Sequence, residues 1–187
     1  MNDDVSGVDG LLADLARWAA DQRVDEAVAA RERERWLRQQ SDEQARLTGI
    51  ALDLAEQRAT ASVSTVSGRQ HRGTVVTVGE DFLALAPGAG ALVLVAFAAV
   101  AVLRPSPGRP GGAGDRSPPQ SAWLADVLSG LAAQRAHVRI GVGSEQLSAE
   151  LRAVGADVVT LLVDGEPPAT AYVRLASVSE VWLTASG

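Results

Sequence analysis

Two aspartates stand at matching corners of the chain, Gly79-Glu80-Asp81 and Gly155-Ala156-Asp157. Paired carboxylates can share general acid and base work when other polar groups converge on them. No such groups flank these two, so each reads as an acceptor of backbone N–H bonds at a strand corner. The two histidines, His71 and His137, occupy non-equivalent positions, and with no cysteine beside them they make no metal site. Both are expected on exposed strand ends. "GVGSEQ" (Gly141 to Gln146) touches a glycine-rich phosphate pattern, but it falls between two strands rather than before a helix. It reads as a hairpin turn. No serine is paired with a histidine and no nucleophile elbow occurs. All 17 basic residues are arginine, which removes Schiff-base lysines and a phosphate-loop lysine. The absence of cysteine removes disulfides and thiolate chemistry as well. The expectation is a protein that is not an enzyme, with no catalytic residues, no cofactor and no metal.

Arginines and tryptophans are the remaining chemistry. Arg69, Arg72, Arg139, Arg152 and Arg174 are the candidate phosphate contacts if the partner is RNA or DNA. The net charge of −6 is concentrated early, with 13 acids against 8 arginines in residues 1–60 and 10 against 9 afterwards. Neither part offers a basic face, so nucleic-acid binding is the alternative and protein association the first reading. Trp18, Trp36, Trp123 and Trp182 can stack bases in principle. The first three lie in predicted helices and Trp182 ends a strand, so core packing accounts for most of them.

The elements that carry these residues occur twice. "GTVVTVGEDFLAL" (Gly73 to Leu85) is echoed by "AELRAVGADVVTL" (Ala149 to Leu161) at an offset of 76 residues. Upstream, "LAEQRA" at Leu54 faces "LAAQRA" at Leu131, offset by 77; downstream, "VAFAAVAVL" at Val95 faces "VRLASVSEV" at Val173, offset by 78. The slips fall near Ser67 and in the Pro167-Pro168 loop, where insertions cost least. Each unit begins with a helix, marked by Leu47, Ile50, Ala51 and Leu54 in the first and by Trp123, Leu124, Val127, Leu128 and Leu131 in the second. Alternating strands follow, among them Ala61, Val63, Thr65 and Val138, Ile140, Val142.

Four segments result: an N-terminal helical arm over 1–40, a helix plus barrel over 41–104, a Pro/Gly linker over 105–120, and a second helix plus barrel over 121–187. The arm's "RERERWLR" run, with its alternating signs, reads as a solvated helix face. The stretch from Arg104 to Gln120 holds five of the eight prolines. Phe82 to Leu103 runs 22 residues without a charge, long enough to raise a membrane span. "PGAG" at Pro87 interrupts it, and the echo carries Asp164, Glu166, Arg174 and Glu180, so two strands joined by a helical turn at "FAAV" are expected and no membrane contact. The acidic start has neither the basic run nor the apolar stretch of a secretory signal, so a cytoplasmic setting is expected.

Gly68, Gly73, Val75, Val78, Gly79, Asp81, Leu83 and Leu85, followed by "LVLVAFAAVAVL", resemble the Sm-like barrel, a small five-stranded SH3-type β-barrel behind a helix. The order also resembles an uncharacterised actinobacterial family in which a helical segment precedes two such units. The resemblance implies an α+β fold: two Sm-like five-stranded antiparallel β-barrels, each preceded by a helix, behind an N-terminal helical segment. It also implies RNA binding through loops after the second and fourth strands. The Asn of the first loop and the Arg-Gly element of the second are absent here, so the RNA-binding residues do not carry over. The expected function is a non-enzymatic interaction or scaffold protein, pairing through barrel edge strands and N-terminal helices with itself or a protein partner.

Overall fold

A computed structural model of the chain describes residues 31, 33, 36, 46–88, 90–107 and 122–184. The chain divides into two compact units, Met1–Glu43 and Gln44–Gly187. Of the first, Arg31, Arg33 and Trp36 are described, all helical, with Trp36 exposed. Trp18 and most of the expected linker lie outside the described residues.

In the second unit, helix α1 (Leu47–Glu56) leads into β1 (Thr60–Thr65), β2 (Gln70–Val78), β3 (Phe82–Gly88), β4 (Ala91–Ala96) and β5 (Val100–Pro105). Helix α2 (Leu124–Ala133) leads into β6 (His137–Val142), β7 (Glu145–Val154), β8 (Val158–Val163), β9 (Ala169–Arg174) and β10 (Val178–Thr184). One 3₁₀ turn precedes each last strand, at Phe97–Ala99 and Leu175–Ser177. The β6–β7 hairpin turns tightly at Gly143-Ser144, where Gly143 takes the positive φ such turns require.

Two closed five-stranded barrels are not formed. The ten strands make one antiparallel sheet, open at both ends, in the order β5-β1-β2-β3-β4-β10-β6-β7-β8-β9, and the described unit has two helices. A barrel would close only if β4 paired with β5 of its own half. The 3₁₀ turn between them sends β5 to the far side of β1, and the edge of β4 is taken by β10, with Val181 opposite Leu94 and Leu183 opposite Leu92. Strand β4, "ALVLVA", is therefore interior, covered on both sides by other strands. An antiparallel strand buried on both faces loses the apolar/polar alternation and reads as one apolar run. That placement explains the uncharged stretch that raised a membrane span. No helix among the described residues is long and apolar enough to cross a membrane.

The two halves share a ladder. Val63 opposite His71 and Leu103 is matched by Ile140 opposite Leu147 and Val181. Leu85 opposite Val75 and Val93 is matched by Leu161 opposite Leu151 and Ala171. The bulge at Val75/Thr77 recurs at Leu151/Ala153. Residues of one half thus have defined equivalents in the other, through the β1–β2 turn as well, where Arg69 matches Glu145.

Burial ties the halves together. One apolar core joins Leu94, Ala96 and Phe82 of the first half to Leu128, Ile140, Leu151 and Leu161 of the second. The other is built on Leu54, Val63, Val75, Leu85, Val93 and Val95, with Trp182 of the second half packed against it. Successive residues of β4 point into alternate cores, as a period of two requires.

Candidate functional site

The junction of β4 with β10 carries the chain's most unusual chemistry. Glu180, fully buried, sits in the middle of β10. Arg69 enters from the β1–β2 turn, and its Nε donates to Glu180 Oε1. Its Nη2 donates to Glu180 Oε2 at 3.3 Å and to Ser179 Oγ at 2.8 Å. Ser179 in turn donates to the Gly141 carbonyl at 3.0 Å. A charge this deep persists only with a partner, and the forked guanidinium supplies one from the other half of the chain. Gly141 is what makes room: a Cβ there would fall inside the Glu180 carboxylate and 2.8 Å from Arg69 Nη2.

His71 of β2 completes the cluster. It is 4% exposed, its Nε2 lies 4.0 Å from Glu180 Oε1, and its ring meets Trp182 edge-on with centroids 5.5 Å apart. The expectation of exposed histidines therefore fails for His71 and holds for His137, which is exposed and bonded to Asp164 at 2.9 Å. In β2 the inward positions are His71, Gly73 and Val75, so alternation places the imidazole inside. Both His71 ring nitrogens and Trp182 Nε1 are buried without a hydrogen-bond partner among the described residues. Orphaned polar atoms cost about 1–3 kcal/mol each, a cost the surrounding apolar packing offsets.

Burial holds the His71 imidazole below its ordinary value of 6.5; the Glu180 carboxylate pulls the other way and Arg69 adds to the depression. Between that lowered folded value and 6.5 the unfolded chain takes up a proton that the folded chain refuses, so acid favours unfolding in that window. Stability contributed by neutral His71 is complete above about pH 6.5 and falls as pH drops, by at most ~1.4 kcal/mol per pH unit. Thermal unfolding from pH 7.5 to 5 is expected to show this slope, and His71→Leu, which installs the residue found at equivalent position 147, to flatten it. An unchanged slope would remove His71 as its source.

Between the two strand corners lies an open cleft of about 700 Å³ lined by Glu80, Asp81, Phe97, Asp157, Arg174 and Leu175. The two corner aspartates differ. Asp81 Oδ1 accepts the Leu124 N–H of α2 at 2.7 Å, and Glu80 N–H donates to the Ala122 carbonyl at 2.9 Å. The first half's corner thereby caps the second half's helix. Asp157 uses its backbone carbonyl in the same way as Asp81, toward Leu175 rather than Phe97, while its carboxylate is exposed. Trp123, expected in the buried stripe of this helix, is its N-cap and 51% exposed.

The five candidate arginines are dispersed. Arg69 is consumed by Glu180. Arg72 is exposed on β2, Arg139 is exposed on β6 and lines a small groove with His137 and Trp182, and Arg152 on β7 lies 3.4 Å from Glu150. Arg174 is exposed at the end of β9 and lines the cleft beside Asp157. The residues sequence reasoning passed over are Glu180, Ser179 and Gly141. A lone acid within a core strand was the available signal, because its equivalent in β5 is Val102.

Two further surfaces are the sheet's terminal strands, β5 and β9, each hydrogen-bonded to one neighbouring strand among the described residues. Val102 on β5 and Tyr172 on β9 are exposed, Tyr172 at 74%. No protein-family model matches the chain, and no curated protein matches it.

Proposed function

We propose that the protein is a non-enzymatic interaction module that engages protein partners by strand addition at its free sheet edges. The observation that carries this reading is the open ten-stranded sheet with exposed Val102 and Tyr172 on its terminal strands. An edge presents unpaired N–H and C=O groups to any extended segment, and natural edges are normally blunted or covered. The buried polar cluster at the β4–β10 junction holds the halves together: Glu180 is hydrogen-bonded to Arg69 and walled in by the core. A cytoplasmic setting belongs to this reading, in keeping with the cysteine-free composition.

Binding of RNA or DNA through Arg69, Arg72, Arg139, Arg152 and Arg174 draws less support, since Arg69 is half-buried and bonded to Glu180 and Arg152 faces Glu150. Site-resolved crosslinking in native extract tests the choice. Crosslinks are expected to map to β5 or β9 and to disappear in a Val102→Lys/Tyr172→Lys chain whose melting temperature is unchanged. Crosslinks that map elsewhere, or survive those substitutions, overturn the reading. So does salt-sensitive nucleic-acid binding tighter than about micromolar in a fluorescence-anisotropy titration.

A further inference from the structure

The cleft between the two strand corners combines two chemistries. Its apolar lining comes from Ala96, Leu124 and Val178, which are buried, and from Phe97 and Leu175, which are half-buried. Its charged lining is more exposed: Glu80 and Asp81 from the first half, Asp157 and Arg174 from the second. At about 700 Å³ it lies within the ~300–1,000 Å³ of small-ligand pockets, which set a few polar groups on an apolar wall.

The walls are fixed by the backbone. Phe97 N–H donates to the Asp81 carbonyl and Leu175 N–H to the Asp157 carbonyl, each at 2.8 Å, so each 3₁₀ turn is tied to its own corner. Helix α2 closes a third side through the Leu124 bond to Asp81 Oδ1 and the Glu80 bond to the Ala122 carbonyl. Gly79 permits that approach, since a Cβ there would lie 2.5 Å from the Ala122 carbonyl oxygen.

The fold leaves the charges largely unspent. Asp81 commits one carboxylate oxygen to the helix and keeps a second. Among the described residues, ion pairs join Arg69 and His71 to Glu180, Arg135 and Arg152 to Glu150, and His137 to Asp164; Glu80, Asp157 and Arg174 take part in none. Three carboxylates against one guanidinium leave the cleft a net of −2, and low-dielectric walls focus that field. The repeat did not impose this balance. Glu80 matches Ala156 and Arg174 matches Ala96, so the excess acid belongs to this seam and not to the repeated unit.

We propose that the cleft binds an organic cation, an ammonium or guanidinium group carried on an apolar body. The cation sits among Glu80, Asp81 and Asp157, and the body lies against Phe97, Leu124 and Leu175. Either a free amine or the basic side chain of a peptide presents this chemistry. A phosphate, by contrast, would meet one arginine and three carboxylates. The site does not depend on strand addition at the sheet edges.

Backbone-amide NMR titration of the full chain tests this with two cations, 2-phenylethylamine and N-acetyl-argininamide. At least one is expected to shift the amides of Phe97, Ala98, Asp157 and Leu175 with a Kd of about 1 mM or tighter. The uncharged 2-phenylethanol is expected to bind at least about tenfold more weakly than the amine that it mimics. Glu80→Gln and Asp157→Asn are each expected to weaken cation binding about threefold, and the double variant about tenfold. Asp81 stays intact in these variants because it caps α2. Arg174→Gln, which removes the like charge, is expected to tighten it about threefold, an effect that a merely structural role would not give. Binding of the amine alone assigns a free amine as ligand; binding of the argininamide alone assigns a peptide side chain. No shift at these amides with either cation up to about 10 mM overturns the proposal. So does 2-phenylethanol binding as tightly as the amine, a double variant that binds like the native chain, or uridine monophosphate binding more tightly than both cations.

Discussion

Replacing Arg69 with methionine is expected to lower stability by about 3–5 kcal/mol, the cost of leaving one member of a buried ion pair uncompensated. The fully buried Glu180 then loses the guanidinium that holds both of its carboxylate oxygens. The double variant Arg69→Met/Glu180→Leu is expected to recover most of the loss, because a buried pair replaced by apolar residues of similar volume is often neutral or better. Denaturant titration of the three proteins checks both statements. A single variant within about 1 kcal/mol of the native chain would mean the pair is solvated, against its burial.

The second large effect is Gly141→Ala, one methyl group added where the Glu180 carboxylate and the Arg69 guanidinium already meet. Overpacking of a rigid core costs about 1–3 kcal/mol, and here the displaced atoms are charged and hydrogen-bonded, so the upper end is expected. Ser179, which donates to the Gly141 carbonyl and accepts from Arg69, ties the same spot into the network. Alanine at Gly143, two residues on, is the control for backbone effects: no atom lies within 4 Å of its added Cβ, and its cost comes from positive φ alone. The Gly141 variant is expected to be the less stable of the two. Equal losses would show that sterics at the ion pair do not govern this site.

Much of the architecture was legible. The repeat placed both helices, the Gly-x-Asp corners and the helical turn before the last strand. It did so because insertions fall in turns while apolar periodicity is kept in the elements. What the sequence did not reveal is which edges meet. Closure into barrels and fusion into one sheet use the same strands, turns and alternation; the difference lies in whether β4 pairs with its own β5 or with β10, a contact between residues nearly ninety positions apart (Leu94 and Val181). Local pattern carries no record of such a choice. Composition carried a trace of it: β4 is apolar on both faces while its equivalent β9, "ATAYVR", is polar and exposed, as an interior strand and an edge strand should be.

The site was legible in part. Arg69 was singled out as a phosphate contact, and the structure gives it a different acceptor, the carboxylate of Glu180. Asp81 was read as a strand-corner acceptor, and its carboxylate accepts the first amide of α2. Trp123 was expected inside, but a residue one position before the first helical turn faces outward with the cap. His71 obeyed the alternation of its own strand, a signal that was present and outweighed by the habit of polar residues to lie outside.

The β4–β10 seam fuses the halves, and a proton NMR contact reads it directly. Val181 and Leu94 face each other with their N–H groups turned inward to the seam, so their neighbours Trp182 and Val93 form the close, non-hydrogen-bonded pair of the ladder. A strong Hα–Hα contact between Val93 and Trp182, undiminished on dilution to the monomer, is the predicted result. Its absence, with the Leu94 amide exchanging as freely as that of Tyr172 on the open edge, would contradict the single ten-stranded sheet and everything built on it.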